Sequence, residues 1–556
     1  MAGDFPPQRG VLRLDDDGHR ALFALHELDP SSTAYHLSAV FEIDVEVEAA
    51  CLAAAASELH RRHEALRAVF DAPDGVPSYR LGDAPPDQRL WPSPAESGAG
   101  LRAALERLVD RPFDLRQGPP WRLRAWPSVR TPGHTGLALV VHHLVADLPS
   151  MIRLVDELVD LVRGVAVEAT APSWSRWLEE RCRRLESEAA TGATAYWRGH
   201  LDPQPPALDL PTDRPRRAAR QRARRRQRWL EPGLRAAIDE LAARSGASHF
   251  AVLLSAVAVL LARWSGQGRF ALGSLAEVRR PPGLVGYGVN TLALRFDLAP
   301  SGGFTTVLAA TRREVHAALR HRELPFARLV RELAPERGAG ESPFFRVLFG
   351  FQRPRQKDRR RTTESGEAGA LILGLEGEPF PRHGARLAPL EAPATAPMFD
   401  LSWTVAPARD GLLCRLDGDR GLFDATTLER LLRHLETTLR GALTAPATPL
   451  AELPLASAAE SHQLRVESND TARAWPDPPR PAGGVMAEIA AAVERWPGAT
   501  ALVGDHGELD YRALGQRVEA LRRRLVELGA GPERVVAVHL ERSLDLPVAL
   551  LAVLAA

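Results

Sequence analysis

Residues 140–151 read VVHHLVADLPSM, and the fold of the chain turns on them. The run just before the histidines, LALVV at 137–141, is short, continuous and apolar, as in a buried strand. After Pro149 the period changes. Met151, Ile152, Leu154, Val155, Leu158, Val159 and Val162 recur at helical spacing until Gly164. The stretch therefore predicts a strand ending at His142 and His143, a short turn, and a helix with Asp147 just before it, well placed as its cap, and a proline at its first position. Neighbouring strand residues point to opposite faces, so one histidine faces a cavity and the other faces packing. The same alternation speaks against one shared metal ion, although imidazole and carboxylate are ordinary ligands. Two readings stay open on these residues alone. One is a satisfied core histidine beside a helix cap. The other is an imidazole that moves or holds a proton, set in a loop organised by a carboxylate.

The composition is that of a globular chain, with 45% hydrophobic and 25% charged residues among 556. That length allows about three or four compact domains. A net charge of +1 supplies no global field toward nucleic acid or an anionic membrane. Lys357 is the single lysine, so nearly all basic residues are arginine. Cys51, Cys182 and Cys414 are too scattered for a zinc pattern or a disulfide framework, which fits a reducing cytoplasm. The N-terminus has no charged-then-apolar signal. The longest apolar run, 250–262, is too short to span a bilayer and reads as a buried helix. Nine arginines fall within 214–228, but no aromatic interleaves them before Trp229. That stretch reads as a solvated linker rather than a nucleic-acid patch.

HHLVADL at 142–148 resembles the HHxxxDG signature of the condensation-domain superfamily of nonribosomal peptide synthetases, related in fold to chloramphenicol acetyltransferase. Further stretches resemble the family's other motifs in order. They are ALFALHELDPSSTAY at 21–35, RHEALRAVF at 62–70, GSLAEVR at 273–279 with GLVGYGVNTLALR at 283–295, HRELPFARLVREL at 321–333 and SPFFRVLFGFQ at 342–352. Residues 456–470 resemble the connector to an adenylation domain, and LDYRAL at 509–514 resembles that domain's first core motif. The implied fold class is α/β, with two chloramphenicol acetyltransferase-like lobes forming a V-shaped pseudo-dimer, plus a partial α/β adenylation fragment. The expected divisions are a flexible leader at 1–10, an N-terminal lobe at 11–180 and a lobe crossing with its arginine-rich linker at 181–228. A C-terminal lobe at 229–455, a linker at 456–475 and a truncated, inactive adenylation part at 476–556 follow. Residues 353–370 are expected to be a mobile insertion.

The resemblance implies amide formation between a carrier-bound acyl or peptidyl thioester and the amine of a carrier-bound aminoacyl thioester. The condensation domain would bind no cofactor and no metal, because its substrates arrive on the phosphopantetheine arms of partner carriers. Those partners would be an upstream donor carrier acting in trans, a downstream acceptor carrier and the chain's own adenylation domain; no nucleic acid or membrane is expected. The arginine-rich linker could meet an acidic carrier. His143 occupies the family's catalytic position, as general base or as a group that holds the amine. His142 is assigned to packing, and Asp147 to loop organisation through a pair with Arg279. Arg62 and Arg67 are assigned structural roles. Leu148 stands where the family usually has glycine, implying a site remodelled for an acyl or polyketide donor, and Asn290 is a second cleft-lining candidate. The alternative function is a degenerate condensation-like platform that docks carriers or tailoring enzymes without turnover.

Overall fold

The computed structural model describes residues 10–83, 87–90, 98–128, 130–167, 170–216, 222–230, 232–333, 343–352, 371, 373–408, 411–472, 483–505 and 507–556. The expected leader, but for Gly10, and the expected insertion at 353–370 lie outside the described residues. The chain divides into two compact units, residues 1–461 and 462–556.

The larger unit is built on two six-stranded mixed sheets, each with its own hydrophobic core. In the N-terminal lobe the strand His36–Ile43 lies antiparallel to Thr135–His142, which pairs in turn with Trp121–Pro127. Every residue of Thr135–His142 is buried, so both faces of this strand are covered and its apolar run needs no alternation. The helix Leu148–Val162 follows at once and buries Met151, Leu154, Val155, Leu158, Val159 and Val162 against this lobe's core. Glu157 on that helix accepts from buried Arg62 and His63, tying Leu148–Val162 to the end of the helix Ala49–Arg62.

In the C-terminal lobe the strand order is Val289–Asp297, Arg269–Glu277, Val347–Phe351, Leu401–Ala408, Gly411–Asp419 and Ala223–Leu230. The apolar stretch of the helix His249–Ser265, interrupted only by buried Ser255, fills that lobe's core.

Three segments depart from the expected divisions. First, residues 223–228 are not linker. They belong to the edge strand Ala223–Leu230, which pairs antiparallel with Gly411–Asp419. Its arginines pair with acidic side chains across the lobe: Arg225 with Asp417, Arg226 with Glu429, and Arg224 with Asp424. An edge strand can carry such charge because its backbone, not its side chains, supplies the pairing. Second, the hairpin of Phe380–Arg382 and Ala385–Pro389 extends the N-terminal sheet by pairing with His36–Ile43. Third, Val278, Leu284 and Val285 are buried in the N-terminal core, although their flanking strands belong to the other lobe. The boundary between lobes in sequence is therefore not the boundary in space.

The smaller unit pairs the strands Thr500–Gly504 and Gly507–Asp510 and packs the helices Tyr511–Glu527 and Asp545–Ala555 around Leu509, Leu514, Val518, Val548 and Ala552. Among the described residues no single helix is long and apolar enough to cross a membrane.

Candidate active site

His143 leaves the end of the Thr135–His142 strand with its backbone N–H donated to the Tyr35 carbonyl at 2.7 Å. Its Nδ1 lies 2.7 Å from the Ala146 carbonyl oxygen. A carbonyl can only accept, so Nδ1 carries the proton and Nε2 holds the lone pair. The ring lines a cleft of about 1950 Å³ that is walled by both lobes, with Leu148 and Ile152 on one side and Leu275 and Phe351 on the other. Burial lowers the His143 pKa from its ordinary value, opposed by the Ala146 hydrogen bond and the nearby Asp147 charge. The imidazole is thus kept neutral, ready to accept a proton at Nε2.

His142 points the other way. It is 1% exposed, its Nδ1 accepts from the Leu144 N–H at 3.2 Å, and its ring packs against His26 and His36 at 5.3 and 6.1 Å between centroids. Burial holds His26 and His142 below their ordinary pKa, and pushes His36 down to about 4. This cluster makes the lobe acid-sensitive. A histidine with a depressed folded pKa binds its proton more readily in the unfolded chain, so its stability contribution is complete above 6.5 and is lost as pH falls toward about 4. For His36 alone the loss is on the order of 3 kcal/mol. Urea midpoints followed by tryptophan fluorescence are expected to drop steadily from pH 7 to 4.5; a flat profile would contradict a neutral buried cluster.

Asp147 is the N-cap of the helix Leu148–Val162, accepting from the Ser150 N–H at 3.0 Å and the Ser150 hydroxyl at 2.7 Å. Its second oxygen accepts from the Gly288 N–H at 2.9 Å. The cation that meets it is Arg280, not Arg279: Arg280 Nη1 lies 2.9 Å from both carboxylate oxygens, with the two side chains only 6% and 2% exposed. Arg279 is exposed and serves through its backbone. Its carbonyl accepts from Trp177 Nε1 at 3.1 Å and its N–H donates to Glu323 at 2.8 Å. Past the Arg269–Glu277 strand the chain turns, and the arginine one residue later is the one aimed inward. Ser150 completes the knot, accepting the Gly286 N–H at 3.1 Å. Gly286 must be glycine, because a Cβ there would come within 2.6 Å of Trp174.

Asn290 does not line the cleft. It is buried, and its amide donates to the carbonyls of Arg322 and Leu324 while its oxygen accepts the Phe326 N–H at 2.9 Å. It rivets the loop that starts the helix Phe326–Leu333. Leu148 is half-buried and does line the cleft, as the first residue of its helix. Ser150, Arg280 and Tyr287 went unrecognised in the sequence. A serine three residues after a capping aspartate was the available signal for the first. Tyr287 stands edge-on to His143 with ring centroids 5.2 Å apart. Among the described residues no group of three or more His, Cys, Asp or Glu side chains is placed to hold a metal ion.

Comparison with known proteins follows the same lines. Residues 19–465 match the family model described as Condensation domain, and residues 489–556 match that described as AMP-binding enzyme. Phosphinothricin tripeptide synthetase PhsB of Streptomyces viridochromogenes is 34% identical over 552 residues, covering 96% of this chain and 44% of the synthetase. Chondramide synthase cmdD of Chondromyces crocatus is 32% identical over 573 residues, covering 99% of this chain and 14% of that protein. The chain therefore spans less than half the length of either relative. Among solved structures, a four-domain nonribosomal peptide synthetase bound to AMP and glycine superposes with a TM-score of 0.81 at 18% identity, over 99% of this chain and 41% of that one. The first condensation domain of the calcium-dependent antibiotic synthetase gives 0.65 at 19%, over 81% of this chain and 100% of that one. At such identities the superpositions speak to the fold.

Proposed function

We propose, on the premise that the chain belongs to the condensation-domain family of nonribosomal peptide synthetases, that residues 11–455 form an amide bond between two carrier-bound substrates. The supporting observation is His143: a neutral imidazole with Nδ1 pinned to Ala146, on the wall of a cleft between two lobes. The acceptor is the α-amine of an aminoacyl thioester, and the donor is an acyl or peptidyl thioester. The amine nitrogen attacks the thioester carbonyl, the C–N bond forms, the C–S bond breaks and the donor carrier's thiol leaves. The proton shed by the nitrogen passes by way of His143 Nε2, or is held there by a hydrogen bond, and ends on the departing sulfur. Alignment of amine and carbonyl in the cleft can supply up to about 7–11 kcal/mol of barrier reduction. The thioester carries the driving force, so the domain's own residues bind, orient and move one proton. Asp147, Ser150 and Arg280 hold the loop that carries the imidazole.

The substrates would arrive on phosphopantetheine arms of a donor carrier and an acceptor carrier. Half-buried Cys51 and Cys182 and buried Cys414 are free thiols, as suits a reducing cytoplasm.

The test is a condensation assay read by intact-protein mass spectrometry, with donor carriers bearing acyl, polyketide or peptidyl groups and aminoacyl-loaded acceptor carriers. Transfer of mass to the acceptor carrier is expected for at least one donor class. Carrier binding with no transfer from any donor would favour a docking platform instead. In the same assay Leu148→Gly is expected to shift relative turnover among donors by at least about tenfold, the effect of changing apolar volume in a substrate pocket. Its cost in stability should stay within about 1 kcal/mol at this first helical position.

A further inference from the structure

Tyr287 touches the reacting imidazole, yet the amide-forming step does not require a phenol. It comes from the 278–288 segment, whose Val278, Leu284 and Val285 are buried in the N-terminal core. Its ring meets His143 edge-on at 5.2 Å and 89°, and meets His19 in the same manner at 5.3 Å and 81°. His19 cannot move easily. It is fully buried, its Nδ1 bonds Asp16 Oδ1 at 2.7 Å, and Asp16 Oδ2 accepts from buried Arg181 at 2.6 Å. Among the described residues His143, by contrast, has one side-chain hydrogen bond, to Ala146. One hydrogen bond fixes a nitrogen but leaves the ring free to tilt about it. A second contact is needed to fix the plane.

We propose that the ring of Tyr287 is a positioning residue for His143: braced by His19, it sets the plane of the imidazole and walls it from water. The proposal rests on the amide-forming reading. The ring, rather than the hydroxyl, carries the role. Burial and the Asp16 charge push the phenol well above its ordinary pKa, so it stays neutral beside the imidazole.

Tyr287→Leu, Tyr287→Met and Tyr287→Phe in the full chain test this with two readouts. The first is the titration and tautomer of His143 by NMR of isotope-labelled histidine, assigned with His143→Ala. The second is single-turnover amide formation. Tyr287→Leu and Tyr287→Met are expected to move the His143 titration up toward the ordinary histidine value and to slow turnover at saturating acceptor by about tenfold or more, with acceptor KM changed by less than about threefold. Tyr287→Phe is expected to restore both to within about threefold of the unsubstituted protein. Either a Tyr287→Phe loss as large as that of Tyr287→Leu, or an unmoved His143 titration in Tyr287→Leu or Tyr287→Met, would overturn the proposal. Should one aliphatic variant fail to fold, the other and Tyr287→Phe still decide it. If the unsubstituted protein makes no amide with any donor, it is the functional reading that fails, while the titration still decides the role of Tyr287.

Discussion

Arg280→Ala is expected to destabilise the condensation lobes by about 3–5 kcal/mol, whereas Arg279→Ala should cost less than about 0.5 kcal/mol. The difference follows from what each side chain leaves behind. Arg280 is the counter-charge of a carboxylate that is 2% exposed, and its removal strands that charge in the interior. Asp147 also caps a helix and holds the Gly288 N–H across from the other lobe, so the damage spreads to both sides of the cleft. Arg279 uses its backbone N–H and carbonyl in the same region, and alanine keeps both. Urea melts of the two variants, compared with the unsubstituted chain, measure this directly. Equal stabilities, or a larger loss for Arg279→Ala, would contradict the placement of the pair. Arg280→Lys should recover only part of the loss, since one ammonium cannot meet Asp147, as Nη1 does, and Glu277, as Nε does, in the same fixed geometry.

His143→Ala is expected to lower the single-turnover rate of amide formation by about 10²–10⁴-fold while leaving carrier binding intact. The part-buried imidazole lines the cleft and, among the described residues, gives the fold one side-chain hydrogen bond, to Ala146, so its loss should be felt in chemistry more than in stability. His142→Ala should show the reverse pattern. That ring is buried among His26, His36 and Phe113, and truncating it opens a cavity in the N-terminal core. The two adjacent histidines thus offer an internal control: same residue type, same loop, opposite faces.

The change of period at 137–162 made the strand, the turn and the helix legible, because a buried strand and an amphipathic helix write different patterns. From that alone follow the N-cap role of Asp147 and the split between a cleft histidine and a packed one. What stayed illegible is of three physical kinds. The strand Ala223–Leu230 has no apolar alternation, since its arginines are matched by acids brought from far along the chain. The hairpin at 380–389 joins a sheet whose other strands lie before residue 143, and such long-range pairing leaves no local mark. The partner of Asp147 lies one residue beyond the family position assigned to it, a slip that turns an inward arginine into an outward one. Asn290 misled for a related reason. A buried asparagine can serve a ligand or satisfy backbone groups, and here three backbone groups of 322–326 engage both its N–H bonds and its oxygen.

The role of His143 is tested most directly by one comparison: single-turnover transfer from a loaded donor carrier to an aminoacyl acceptor carrier, with the unsubstituted chain and with His143→Ala at equal carrier occupancy. Amide product with the first and a rate about 10²-fold lower or more with the second is the expected result. Equal rates would contradict it, and would remove His143 from the chemistry altogether.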